Sequence, residues 1–131
     1  MVHLLRFHGE IRWLVALVGA ISVVRFAYGW FNQSKYGGLD RGLAVAFTTL
    51  LDLNLLLGLI LLFGLGGALI PYRLEHATTM ILALVAAHLS AIGRRSDDSA
   101  RQFRNHLFAF VTALMLVVLG VLRLRGAWIW S

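Results

Sequence analysis

Four apolar runs, each about as long as a bilayer's hydrocarbon core is thick, set the terms for this chain. A transmembrane helix needs about 20 mainly apolar residues. The 131 residues hold four such runs, roughly 11–30, 43–65, 74–92 and 103–122, which leaves no length for a soluble domain. Each run stops where hydrocarbon would not accept the chain. Asn32, Gln33, Ser34 and Lys35 with Gly37 and Gly38 follow the first, Gly66, Gly67 and Pro71 the second, and Gly93 to Asp98 the third; a tail with Arg123, Arg125, Trp128 and Trp130 follows the fourth. The expected fold class is all-α: a single integral membrane domain, a four-helix up-down-up-down bundle with both termini on one side. Composition agrees, with 60% hydrophobic residues, 14% charged residues and a mean hydropathy of +0.80. Arg6 ahead of the first run looks like the start of a signal peptide. No small-residue cleavage pattern follows, however, and Arg25 interrupts the run, so the segment is expected to be a retained span.

The net charge of +6 and a pI near 11.1 do not imply nucleic acid, because the basic residues sit at the ends of apolar runs and form no polar face. Lipid headgroups, a partner subunit or a bound anionic group are the expected counter-charges. Let side A be the face of the termini and of the turn around Pro71, and side B the opposite face. Side B carries Lys35, Arg41, Arg94, Arg95, Arg101 and Arg104, and side A carries Arg6, Arg12, Arg73, Arg123 and Arg125, which tips the positive-inside rule towards a cytoplasmic side B. A bacterial cell membrane with both termini outside is the matching location. The absence of cysteine excludes thiolate ligands, disulfides and a cysteine nucleophile, and leaves histidine as the strong soft-metal ligand.

Polar residues inside spans are costly and therefore functional candidates: His8, Arg25, Asp52, Asn54, His76, His88 and His106. The topology sets His8 and His76 at one depth near side A, on helices that are diagonal in a four-membered ring. Two such imidazoles can hold a haem b, one on each face of the iron, with Gly19 and Ala83 among the small residues admitting the macrocycle. Arg6, Arg12 and Arg73 with Tyr72 and Trp13 would then clamp the anionic propionates. The bland reading is an interfacial histidine beside the small-residue spacing of ordinary membrane helix packing. His88 and His106 near side B are the weaker candidates for a second haem. His76 and His88 point about 120° apart at 3.6 residues per turn, and spans three and four are sequence neighbours. Arg25 and Asp52 are expected to form a buried ion pair between spans one and two, either a register pin or an acid on a proton or quinone path with Thr48 and Thr49 nearby. Asn54, about 200° from Asp52 around the helix, is expected to bond another helix.

Several strings form an ordered set: Phe7-His8-Gly9-Glu10-Ile11-Arg12-Trp13, Tyr36-Gly37-Gly38-Leu39-Asp40-Arg41, Leu51-Asp52-Leu53-Asn54-Leu55-Leu56-Leu57-Gly58, Leu74-Glu75-His76 with Met80, and His88 followed by Gly93-Arg94-Arg95-Ser96. Together they resemble, over nearly the full length, a group of small bacterial four-helix membrane proteins commonly labelled cytochrome B. The resemblance implies haem b and carries that group's pattern to His8, His76 and His88. Some members have histidine at the position of Asp52, and this chain departs from them there.

Three functions compete. The first is an electron carrier with one haem b, or two, that exchanges electrons with a quinone or a partner redox protein. The second is a cofactor-free accessory subunit of a larger respiratory or photosynthetic complex, or a homo-oligomer. The third, a small proton-coupled exporter, lacks the acid it needs in the middle of span one. No Ser/His/Asp set, phosphate-binding loop or carboxylate pair falls on one face, so no hydrolase or kinase is expected.

Overall fold

The computed structural model describes residues 2–66, 70–90 and 98–129, with side chains as far as 123. The turn at Gly67, the charged loop from Gly93 to Asp97 and the aromatic tail with Arg125, Trp128 and Trp130 lie outside the described residues or side chains. Four helices follow one another: α1 (Val2–Phe31), α2 (Gly38–Gly64), α3 (Pro71–His88) and α4 (Ser99–Ile129). Among the described residues α1, α2 and α4 are long and apolar enough to cross a membrane. α3 is shorter, at 18 residues, and has its broadest contact with α4. The protein is an all-helical, membrane-embedded four-helix bundle.

The helices overrun the apolar windows because hydropathy reports where lipid begins and says nothing about where backbone hydrogen bonding stops. α1 closes in a Schellman motif: Ser34 N–H reaches Gly29 O at 2.9 Å and Gln33 N–H reaches Trp30 O at 3.3 Å, with Gln33 at φ 54°. α2 starts from the extended Gly37, whose N–H donates to Asp40 Oδ2 at 2.9 Å, and ends with Gly66 at φ 76°. α3 begins with Pro71 at its first position, where no N–H is needed.

Each helix packs on its sequence neighbours, and α1 closes the ring on α4. The α2–α3 seam is the narrowest of the four, and α1 and α3 stand diagonally. Glycines allow the close approaches. A Cβ on Gly29 would lie 2.5 Å from the Phe103 ring, and one on Gly19 would lie 2.6 Å from Leu114 and 2.7 Å from Phe47. The core towards side B is aromatic: Phe26, Phe47, Phe103 and Phe110 are fully buried, with Phe47 and Phe110 centroids 4.5 Å apart. Buried hydroxyls turn to their own helix, Ser22 to Val18 O at 2.7 Å and Thr48 to Ala44 O at 3.0 Å, so both of these donors are satisfied.

The expected Arg25–Asp52 pair does not form. Arg25 instead grips Asp40, with Nε to Oδ1 at 2.6 Å and Nη2 to Oδ2 at 3.3 Å, and Asp40 is 1% exposed. Depth explains the change. Asp40 opens α2 beside the last two turns of α1, whereas Asp52 lies more than three turns further along α2, towards side A. Arg25 also lies 5.4 Å from the Phe103 ring, so one guanidinium ties α1, the start of α2 and α4 together.

Removing the carboxylate from this part-buried pair leaves the Arg25 guanidinium and the Gly37 N–H without their shared partner. Asp40→Ala is therefore expected to lower the thermal midpoint in detergent well below that of wild type, while Asp52→Ala shifts it far less. Circular dichroism melts of both variants check this ordering.

Candidate functional site

His8 stands in the second turn of α1, and its ring packs against α2. A Cβ on Gly58 would come within 2.9 Å of His8 Cε1, so only glycine leaves room for the imidazole. Asn54, one turn earlier on the same face of α2, stands beside the ring. His8 Nδ1 and Asn54 Oδ1 are both buried without a hydrogen bond of good geometry, although Asn54 lies close enough to the ring to interact with it. Polar atoms so poorly bonded in a membrane interior are costly, and here two fall side by side.

His76 reaches inward from the diagonal helix α3. Its Nδ1 lies 3.2 Å from the Gly120 carbonyl of α4. A carbonyl only accepts, so Nδ1 carries the proton and Nε2 keeps its lone pair. Gly120 serves a second purpose, since a Cβ there would overlap Met80 Cε and crowd Thr79. Glu75 and Arg123, 3.1 Å apart, brace the same two helices one turn towards side A.

The two imidazoles lie within electrostatic reach of one another, and Arg12 lies within reach of both. The bundle thus brings His8, His76, Arg12 and Asn54 together near side A. The remaining residues of the expected clamp scatter. Arg6 is exposed, Trp13 faces outward at 64% exposure with Arg12 over its ring, and Arg73 bonds the Gly66 carbonyl at 2.6 Å above Tyr72. Gly19 does not open a path for a macrocycle, because Leu114 and Phe47 occupy the space its missing side chain leaves. Ala83 is wholly buried in the core.

His88 and His106 share no partner and make no second ligand pair. His106 is not interfacial: it is fully buried among Phe26, Phe103 and Phe110, with Nδ1 donating to Gln102 O at 2.8 Å and Nε2 facing the Tyr36 hydroxyl at 3.4 Å. His88 points the other way, to Asp52 across the α2–α3 seam, with Nε2 2.7 Å from Oδ1. Among the described residues no three His, Cys, Asp or Glu side chains converge as a metal-binding group.

Sequence reasoning passed over Asp40, Gly58 and Gly120. Asp40 carried a signal, since an acid in the first turn after Gly37-Gly38 is where a helix start recruits one. The Asn54-x-x-x-Gly58 spacing was also visible, as a polar residue and a gap on one face.

His8 and His76, from diagonal helices, are imidazole donors within electrostatic reach of one another near side A, the second with its tautomer held by a carbonyl, and the space further along α1 at Gly19 is filled by Leu114 and Phe47. No protein family, curated protein or solved structure matches the chain.

Gly58→Ala and Gly120→Ala each force a side chain to move, and overpacking of this kind costs about 1–3 kcal/mol. Both variants are expected to melt below wild type in detergent. In Gly58→Ala the His8 imidazole resonances should shift on NMR while those of His106 stay in place.

Proposed function

We propose that this protein is a haem b electron carrier of the membrane, in which His8 and His76 would hold the haem iron. The observation that carries the reading is the convergence of these two imidazoles from diagonal helices, with the His76 Nδ1–H held by the Gly120 carbonyl at 3.2 Å. A ring anchored in this way presents Nε2 in a fixed direction and makes it a better donor to a metal. Haem supplies a site that takes up and releases one electron.

The chain's own residues do the rest. Gly58 lets the His8 ring approach α2, and Asn54 gives that ring a polar neighbour in place of lipid. Arg12 offers a guanidinium beside both imidazoles, suited to a propionate by charge and planar shape. Arg73 and Tyr72 already serve the Gly66 turn, so Arg12 carries the anion-binding part of the clamp. The electron's other station would be a lipid-soluble quinone or a partner redox protein, in a bacterial cell membrane with side B towards the cytoplasm. The resemblance to the proteins labelled cytochrome B supports the same class.

One observation favours a second reading, a cofactor-free packing subunit of a larger membrane complex: the space at Gly19 is taken by Leu114 and Phe47. A pyridine haemochrome assay on detergent-purified protein separates the two. The electron-carrier reading expects about one haem b per chain, lost in His8→Ala and in His76→Ala with helix content retained, and kept in Arg73→Ala. Colourless, iron-free wild-type protein overturns it and leaves the packing subunit.

A further inference from the structure

The cations at the two ends of the bundle differ in what they meet. On side A, Arg12 lies over the Trp13 ring, Arg73 bonds the Gly66 carbonyl at 2.6 Å and Arg123 stands 3.1 Å from Glu75. On side B, among the described residues, no carboxylate comes within ion-pair distance of Lys35, Arg101 or Arg104, and all three are exposed. Two acids of this end have other work. Asp40 is gripped by Arg25, and Asp98 Oδ1 accepts the Ala100 N–H at 3.1 Å.

The fold brings the three basic residues to one seam. Tyr36 N–H donates to Ser99 Oγ at 3.0 Å and the Tyr36 ring lies 5.2 Å from that of Phe103, so Lys35 stands beside the start of α4. Arg101 and Arg104 follow three residues apart, on one face of α4. Gly29, pressed on the Phe103 ring, closes α1 against α4 at this level. Just inside the charges the seam is aromatic: Trp30 meets Phe108 edge-on at 5.8 Å and stacks on Phe31 at 5.3 Å. Phe108, Met115 and Leu119 carry the Arg101–Arg104 face on towards the middle of the span, and all three are exposed. The Thr112 hydroxyl between them turns to its own helix, to Phe108 O at 2.8 Å, which leaves the stripe apolar.

We infer that the α1–α4 seam at side B holds an anionic phospholipid, with its headgroup on Arg101, Arg104 and Lys35 and an acyl chain along Phe108, Met115 and Leu119. Each part of such a lipid has a counterpart. Guanidinium groups match the oxygens of a phosphate in charge and in shape. Trp30 stands where an amphipathic ring favours the boundary between headgroup and hydrocarbon, and the exposed carbon beyond it faces acyl chain. An acidic protein segment would answer the charges and leave the apolar stripe beneath them uncovered. A zwitterionic lipid brings its own cation, which three basic residues repel. The seam lies at the opposite end of the bundle from His8 and His76, so its occupancy does not depend on haem.

Trp30 is the reporter for the test. With Trp13→Phe, Trp128→Phe and Trp130→Phe in the full chain, it is the one tryptophan left. The protein is reconstituted in mixed vesicles of phosphatidylcholine and phosphatidylglycerol, with dibrominated chains on one lipid at a time. Quenching of Trp30 then gives the relative occupancy of the seam by each lipid. Phosphatidylglycerol is expected to be preferred at least about fivefold, the factor for one basic residue near an anionic lipid. Arg101→Gln with Arg104→Gln should bring the preference close to parity. Arg6→Gln with Arg123→Gln, the same loss of charge on side A, should leave it unchanged. All four positions are exposed, so helix content by circular dichroism should match the parent in both variants. Equal quenching by the two lipids overturns the proposal. So does a preference that survives Arg101→Gln with Arg104→Gln, or one that the side A pair abolishes equally.

Discussion

The grip of Arg25 on Asp40 is the interaction on which the rest of the bundle depends. A guanidinium in the lower half of a membrane helix needs a carboxylate, and the one it finds is nearly inaccessible, bonded twice by arginine and once by the Gly37 N–H. That single carboxylate starts α2 and fixes α2 against α1 at the same time. From this point the two antiparallel helices step in opposite directions at one pace: Arg25 meets Asp40, Gly19 meets Phe47 and His8 meets Gly58. A slip of one residue would turn the His8 ring off the glycine that accommodates it. The position of the candidate site at one end of the bundle is thus set by an ion pair near the other.

α4 performs the same service for α3. Gly120 admits Met80 and gives its carbonyl to His76, and the Glu75–Arg123 pair lies one turn beyond. With α1 and α3 diagonal, the two histidines stand within electrostatic reach of one another and of Arg12, whose guanidinium lies over the outward-facing Trp13 ring. Among the described residues, the interior holds three separate groups of histidines and ion-pairing side chains with their neighbours. Arg25 and Asp40 hold the helices, Tyr36 and His106 fill the aromatic core near side B, and His8, His76, Arg12 and Asn54 gather near side A.

Much of the fold was legible from the chain, because hydrophobic length is a direct physical measurement of bilayer thickness. The four helices, their alternation and the diagonal placement of α1 and α3 all follow from it. The helix ends were not legible in this way: α1 begins well before Ile11 and α3 stops at His88, because capping and loop geometry set those limits. Partner choice was harder still. Arg25 was assigned to Asp52 because both read as membrane residues, while Asp40 read as loop. Helical backbone carries Asp40 to the depth of Arg25, and a register of that kind cannot be taken from hydropathy. The burial of His106 is likewise invisible to hydropathy, because the aromatic residues that enclose it come from α1, α4 and the connection before α2. Inward-facing His8 and His76 could be expected from topology, whereas the scattering of Arg6, Trp13, Tyr72 and Arg73 depends on side-chain bonds that only coordinates give.

This register carries His8 and His76 to within electrostatic reach of one another across the bundle. The chain has no cysteine, so a His8→Cys, His76→Cys double variant carries two thiols and no others. Treated in native membranes with a short bifunctional methanethiosulfonate, it should form a bridge within the monomer, and the bridge should be lost when Asp40→Ala is added. No bridge, or bridges only between chains, would contradict the account.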